Sequence, residues 1–294
     1  MKIAVLASGG DGAGMNMCLY KIMKALKKHS VYLFARGYTG LINNELCDFG
    51  FDYVQKHCHD GGIVIKTSRC PEFRTEAGIE KAMQTYKDLG LDSLVIMGGN
   101  GSLRGAKELV VRGANVLFVP CTIDNDVFGS EYCIGFDTAC KNCVDFIENV
   151  NTTMQSFDRI AIYETMGREC PAIAKAIYSK VQGDYLFVDE TNTIEDCVKT
   201  VAEKFSKTYA PKIILRENLI DSKQLLTALN NAGYDAKVCV VGYLQRGGNP
   251  TKLEEKNATM FANKIAEQIQ NLQKNKIIMV KNGEFVAENI EKYV

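Results

Sequence analysis

The chain predicts an α/β protein whose sheets are mainly parallel and covered by helices on both faces. Three observations carry that prediction. The strand-like runs are short and apolar throughout, longer helix-like stretches alternate with them, and glycine-rich turns stand where a strand gives way to a helix. In order, the runs span residues 3–7, 31–35, 93–97, 116–119, 160–163, 185–188, 213–215 and 238–241. Helix-like periodicity covers 16–28, 76–89, 103–112, 138–157, 171–181, 194–209 and 222–232. No low-complexity linker or short repeat marks a boundary, so domain limits must come from the loops that carry chemistry.

At 294 residues the chain can bury a real core, as one large domain or two intertwined ones. Lys plus Arg and Asp plus Glu number 35 each, which gives no electrostatic case for a nucleic-acid partner or an anionic membrane. The opening "MKIAVLAS" is too short, and too abruptly ended by glycine, for a signal peptide. No later stretch approaches the roughly 20 apolar residues of a membrane helix. Eleven cysteines, an odd number, are scattered through apolar stretches such as "KVCVV" (237–241), which predicts reduced thiols and a cytoplasmic location. "HCHD" (57–60) reads as a polar loop before Gly61-Gly62, because no second ligand pair accompanies it.

Three loops carry the chemistry. "SGGDGAGMN" (8–16) follows the first strand and opens a helix. Its glycines let backbone amides approach an anion, and a helix N-terminus favours negative charge. Alone, it is weak evidence, since a tight connection with no ligand has the same look. "GGNGS" (98–102) stands at a second strand end, and two such loops at the carboxyl ends of parallel strands would line one crevice. In that loop Asn100 puts an uncharged amide where a carboxylate would help hold a metal-bound phosphate. "VPCTIDNDVFGS" (119–130) sets Asp124 and Asp126 two residues apart, behind Thr122. In extended backbone that spacing turns both carboxylates to one side. Such a pair suits proton removal from a substrate hydroxyl by one, and organisation of a metal or of the loop by the other.

"SGGDGAGMN", "GGNGS", "TIDND" (122–126), "GFDTA" (135–139), "MGR" (166–168) and "GYLQRGGNPT" (242–251) resemble the motifs of the 6-phosphofructokinases in order and approximate spacing. "SRCPEFRTE" (68–76) resembles the stretch that this family has between its first two glycine loops. The likeness runs from Lys2 to about Thr251. NAD kinases and diacylglycerol kinases share a GGDG-type loop but lack "TIDND" and "QRGG".

The resemblance implies two Rossmann-like three-layer α/β domains with mainly parallel sheets and an interdomain cleft. Residues 1–135 with 248–294 would bind the donor, and 136–247 the sugar phosphate, the chain crossing near Phe136 and Gly247. The implied reaction moves the γ-phosphoryl of ATP, with Mg2+, to the 1-hydroxyl of fructose 6-phosphate.

The implied residue roles follow the motifs. Gly10, Asp11, Gly101 and Ser102 lie at the donor's phosphates, with Arg69 contacting them and Arg74 near the nucleotide. Asp124 is the general base, Thr122 contacts the same end of the sugar, and Arg168 faces charge in the transition state. Met166 and Gly167 shape the sugar pocket, and Glu217 bonds sugar hydroxyls. Arg159, Lys237, Tyr243 and Arg246 serve the 6-phosphate, and Asn100 and Asp126 the metal. A homotetramer is implied, with Arg159 and Lys237 serving a neighbour's sugar site.

Several positions depart from the family pattern. Asn100 replaces an aspartate, Tyr243 a histidine and Lys237 an arginine. Tyr20, Lys24, Phe51 and Asn151 stand at places of a basic effector site, where only Lys24 keeps a charge, so that allosteric control is not expected. The tail after Thr251 is shorter than usual and is taken to trim peripheral structure. Pyrophosphate-using members resemble "GGDDS" and "KTIDND". Gly101 and Cys121 here are small and uncharged, leaving room for an α-phosphate and favouring ATP. A phosphate-binding protein without activity, a pyrophosphate-dependent enzyme, and a kinase for another phosphosugar stay open alongside.

Overall fold

A strand that is apolar on both faces is stable only with helices on both sides, and that is the arrangement in the computed structural model, which describes residues 1–204 and 211–293. The chain forms two compact units, Met1–Thr138 with Arg246–Val294, and Ala139–Gln245. The first runs β1 (Lys2–Ser8), α1 (Met15–Ala25), β2 (Ser30–Leu33), α2 (Tyr38–Asn43), α3 (Phe51–Lys56), α4 (Glu76–Asp88), β3 (Ser93–Gly98), α5 (Asn100–Val111) and β4 (Val116–Pro120). Helix α6 (Phe136–Gln155) leads into the second unit, which continues β5 (Ile160–Thr165), α7 (Ala172–Lys180), β6 (Tyr185–Phe187), α8 (Ile194–Lys204), β7 (Lys212–Arg216), α9 (Ser222–Asn231) and β8 (Ala236–Val240). The chain then completes the first unit with α10 (Lys252–Gln270), β9 (Lys276–Lys281) and β10 (Glu284–Asn289).

The first unit's sheet has the order β10-β9-β4-β3-β1-β2, parallel except for β10, which is antiparallel to β9. Successive residues of its central strands alternate between two cores. Ile3, Val5, Ala7, Val95, Met97, Leu117 and Val119 pack with Leu19 and Ile22 of α1 and Phe261 and Ile265 of α10. Ala4, Leu6, Leu94, Ile96, Val116 and Phe118 pack on the other face with Leu41 of α2, Ala82 of α4 and Leu103 and Ala106 of α5. The second unit's sheet is all parallel, in the order β6-β7-β5-β8. On one of its faces Ile160, Ile162, Ile213 and Leu215 pack against Cys197 and Val201 of α8 and Leu225 and Leu229 of α9.

All eight expected strands and seven expected helices have counterparts, with shifted ends. The helix expected over 194–209 is seen to Lys204; the rest of that span lies outside the described residues. Helix α5 begins at Asn100 instead of 103, so "GGNGS" is itself the helix start, with Gly99 as its N-cap. The residues that follow Thr251 are built into the first unit. Strand β9 pairs with β4, and α10 lies in the same core as α1. No helix is long and apolar enough to cross a membrane among the described residues, and all eleven cysteines are free thiols.

Candidate functional site

Strand register brings the first unit's three loops together. Ser8 stands opposite Gly98 and Gly98 opposite Pro120, so the turns after β1, β3 and β4 leave one edge of the sheet side by side. Ser102, in the first turn of α5, locks two of them. Its buried hydroxyl donates to the Ser8 carbonyl at 2.9 Å, and its amide donates to the Gly99 carbonyl. A Cβ at Gly98 would stand 2.6 Å from both the Ser8 carbonyl oxygen and Ser102 Cβ, which is why glycine ends β3. Tyr38, stacked on Phe73 at 3.9 Å, donates to the Ser102 carbonyl. The Ser102 side chain, expected at the donor's phosphates, is therefore occupied inside the protein. The amides at the start of the helix, on Asn100 and Gly101, are those left to meet an anion. A Cβ at Gly101 would meet nothing within 4 Å, so space stands open there.

Around the first turn, Asp11 accepts from the Ile63 amide at 3.0 Å, and Arg246 donates to the Asp11 carbonyl at 2.6 Å. Arg246 thus sits with the first glycine turn, in the first unit. Gly10 adjoins it: a Cβ there would lie 3.1 Å from Arg246 Nη1. Thr67 donates to the Gly9 carbonyl, tying in the segment that carries Arg69 and Arg74. Both arginines are exposed and have no ion-pair partner among the described residues.

The third loop is a turn, not an extended stretch, and Asn125 takes a left-handed φ of 50°. The two carboxylates consequently part company: Asp124 is buried, at 8% exposure, while Asp126 is exposed. Thr122 accepts from the Asp124 amide at 3.2 Å and its own amide donates to the Ile134 carbonyl. Asn125 accepts from Cys133 at 2.7 Å and donates to the Glu131 carbonyl. Asn100 Nδ2 donates to the Asp126 carbonyl at 3.0 Å and to its Oδ2 at 3.1 Å. The residue expected to face a metal through its oxygen is thus moored by its nitrogen. Among the described residues no three His, Cys, Asp or Glu side chains gather as a metal cluster, "HCHD" included, where His57 bonds Asp60.

One participant was not foreseen. Glu254, in the first turn of α10, is wholly buried, and its carboxylate accepts from Tyr132 Oη (2.7 Å), the Gly135 amide (3.0 Å), the Thr138 amide (3.3 Å) and Thr138 Oγ1 (3.1 Å). Burial pushes its carboxyl up to about 7, against the lowering effect of these donors. The available signal was Thr251…Glu254, a T-x-x-E capping pattern. Thr251 does cap α10, accepting from the Glu254 amide at 3.1 Å.

In the second unit, the "MGR" turn follows β5. Gly167 has φ 146° and Arg168 φ 51°. Glu217, just beyond β7, accepts at 3.3 Å from the amides of both, and the Arg216 guanidinium donates to the Arg168 carbonyl. Arg216 is 6% exposed and pairs with Glu190 at 3.2 Å. Gln245, fully buried, accepts from the Met166 amide at 3.0 Å. Arg216 belongs to no motif, and Gln245, though it lies in "GYLQRGGNPT", shows its bracing role only through tertiary contact. Arg159 and Lys237 both grip Asp235, at 2.6 and 3.0 Å, and these cations, Arg159 first, hold its carboxyl below the usual range. Arg168 is exposed, and Tyr243 is 83% exposed.

Glycine-rich turns and a helix N-terminus gathered at the carboxyl edge of a parallel sheet define a phosphate-binding α/β protein. The family model for phosphofructokinase matches residues 2–269, and the chain belongs to that family. It is 34% identical to the ATP-dependent 6-phosphofructokinase of Clostridium botulinum (strain Loch Maree / Type A3), over 99% of this chain and 92% of that one. The ATP-dependent 6-phosphofructokinase of Finegoldia magna is also 34% identical, over 99% of this chain and 93% of its own length. Among solved structures, Pichia pastoris phosphofructokinase in the T-state superposes with a TM-score of 0.88 at 24% identity. That alignment covers 99% of this chain but only 37% of the Pichia chain. The pyrophosphate-dependent phosphofructokinase of Marinobacter aquaeolei gives 0.86 at 18% identity, over 100% and 84% of the two chains. The likeness in fold bears out the α/β class.

Proposed function

We propose that this chain is an ATP-dependent 6-phosphofructokinase, transferring the γ-phosphoryl of ATP to the 1-hydroxyl of fructose 6-phosphate and releasing ADP and fructose 1,6-bisphosphate. The observation that carries the reading is full-length relatedness to enzymes of that name, joined to an intact Asp124, buried behind β4. Asp124 takes the proton of the 1-hydroxyl as that oxygen bonds to phosphorus and the bond to the ADP oxygen breaks. Thr122 holds the backbone of the base. The amides of Asn100 and Gly101, the turn around Gly10 and Asp11, and the unpaired Arg69 and Arg74 receive the donor. Arg168 neutralises charge on the transferring group.

Mg2+ fits this set: the exposed Asp126 carboxylate, beside Asn100, would hold it together with the donor's phosphates, where it would neutralise their charge. For the sugar phosphate, Arg159, Lys237, Tyr243 and Arg246 supply the anion contacts, and Met166, Gly167 and Glu217 the sugar pocket. In this reading a phosphate reaching Arg159 and Lys237 displaces Asp235 from both. The assembly is a homotetramer in which those two serve a neighbouring subunit's site, which light scattering after gel filtration checks.

The function is tested in a coupled assay with fructose 6-phosphate, run with MgATP and with magnesium pyrophosphate side by side. Turnover is expected with ATP, and Asp124→Asn should lower it by about 10²- to 10⁴-fold, the share a general base supplies. Wild-type activity no greater than the variant's would reject the reading in favour of a phosphosugar-binding protein. Turnover with pyrophosphate alone would reassign the donor.

A further inference from the structure

We propose that Glu254 is a positioning residue for phosphoryl transfer: from α10 it clasps residues 132–138, and through that segment it holds the Thr122–Asp124 loop in place. The inference rests on the kinase reading above.

Its basis is a continuous set of contacts within the first unit. One oxygen of Glu254 takes Tyr132 and Gly135, the other takes both donors of Thr138. The clasped segment is in turn what the loop leans on. Cys121 and Ile134 form a parallel bridge, the Ile134 amide donates to the Pro120 carbonyl, and the Thr122 amide donates to the Ile134 carbonyl. Asn125 completes the join through Cys133 and Glu131. Asp124 therefore sits between Thr122, whose amide bonds to Ile134, and Asn125, whose side chain bonds to Cys133. Glu254 also abuts the first glycine turn, since a Cβ at Gly14, with φ 95°, would stand 2.5 Å from Glu254 Cγ. A capping glutamate normally turns back to the amide of the capping threonine. Here that amide, on Thr251, donates to Thr138 Oγ1 instead, which frees the carboxylate for the clasp.

All four neighbours present protons to the carboxylate, so the ionised form satisfies every one, while a protonated oxygen would have to donate and turn a hydroxyl around. The titratable groups facing it are Tyr132 on the clasped segment, Cys18 on α1 and Cys121 at the end of β4, with Asp137 acting on Tyr132. Burial raises the phenol and both thiols, so they stay neutral. Catalysis and stability should then respond to pH in opposite senses. A carboxyl raised from 4.5 to about 7 on folding binds more protons folded than unfolded, so stability falls as pH rises through that window. Turnover should rise through the same window as the clasp becomes fully accepting. A merely structural carboxyl would give the first slope without the second.

The test compares wild type, E254Q and E254D as full chains: kcat and both KM values, melting temperature from pH 5.5 to 8.5, and amide exchange by residue. E254Q is expected to lose about tenfold in kcat with KM within about twofold, as for a displaced reacting group. It should also lose both pH slopes, and exchange faster at residues 121–126 as well as at Gly135 and Thr138. E254D, with the charge but a shorter reach, should keep a step near neutral pH at reduced kcat. Wild-type kcat with the step retained in E254Q, or unchanged exchange at 121–126, overturns the proposal whatever happens to melting. If E254Q does not fold, wild-type kcat and exchange in E254D overturn it. Should the wild type prove inactive, the kinase reading falls, and exchange at 121–126 still decides whether Glu254 positions the loop.

Discussion

Replacing Asn100 by aspartate should convert a hydrogen bond into a cation site. In the native protein the amide nitrogen gives two bonds to Asp126, at 3.0 and 3.1 Å. Asn100→Asp removes both and sets a second carboxylate about as close to the first. Two unit charges about 3 Å apart repel by ~5 kcal/mol at an effective dielectric of 20 and ~1.4 kcal/mol in water. Asp126 is exposed, so the lower figure governs, and with the lost bonds the metal-free variant should be about 2 kcal/mol less stable. A divalent cation removes the repulsion. Melting in chelator should therefore drop by about 4–8 °C and recover with millimolar magnesium, while the wild type barely responds. In the kinase assay, the magnesium giving half-maximal rate, at fixed ATP, should fall about tenfold. If the variant and the wild type show the same magnesium dependence in both melting and rate, Asn100 has no bearing on the metal and the reasoning fails.

Other substitutions probe other joints. Gly98→Ala forces a methyl against Ser8 and Ser102, so urea unfolding should show a loss of about 1–3 kcal/mol, and an unchanged midpoint would deny the close approach. Glu217→Gln turns the charged acceptor of the Gly167 and Arg168 amides into a weaker neutral one, so KM for fructose 6-phosphate should rise several-fold with KM for ATP unmoved. Equal effects on both substrates would argue against a sugar-side role. Phe261→Ala should cost about 3–5 kcal/mol, since this fully buried ring packs at 4.9 Å edge-on to Phe285; a cost under 1 kcal/mol would deny α10 a place in the core.

How legible each part is follows from how local its causes are. Strands β1, β3 and β4 show in the sequence because both faces are buried and the run within each, such as Ile3–Ala7, is apolar. The hairpin β9–β10 is harder, for β10 is half-buried at the sheet edge and alternates weakly. Its Asn282-Gly283 turn, with φ values of 50° and 74°, is nevertheless a recognisable signal. The spacing of Asp124 and Asp126 misleads because it puts both carboxylates on one side only in extended backbone, and Asn125 is left-handed. The bracing roles of Arg216 and Gln245 show in no local pattern, since they hold the "MGR" turn from 48 and 79 residues away. The motifs locate the loops; their bracing comes from tertiary contacts between distant residues.

The bond from Ser102 to Ser8 holds the start of α5 in place from within the protein. A loop that folded around its ligand would give up about 1–2 kcal/mol of backbone freedom for each residue ordered. Residues 98–102 have already given it up on folding, in the same transition that joined β1 to β3. In the proposed reading, a phosphate arriving at Asn100 and Gly101 meets a loop that is already ordered, which favours rapid arrival and a small entropy change. Donor affinity at this edge is then governed by the contacts the phosphates make, and not by the ordering of the loop that makes them.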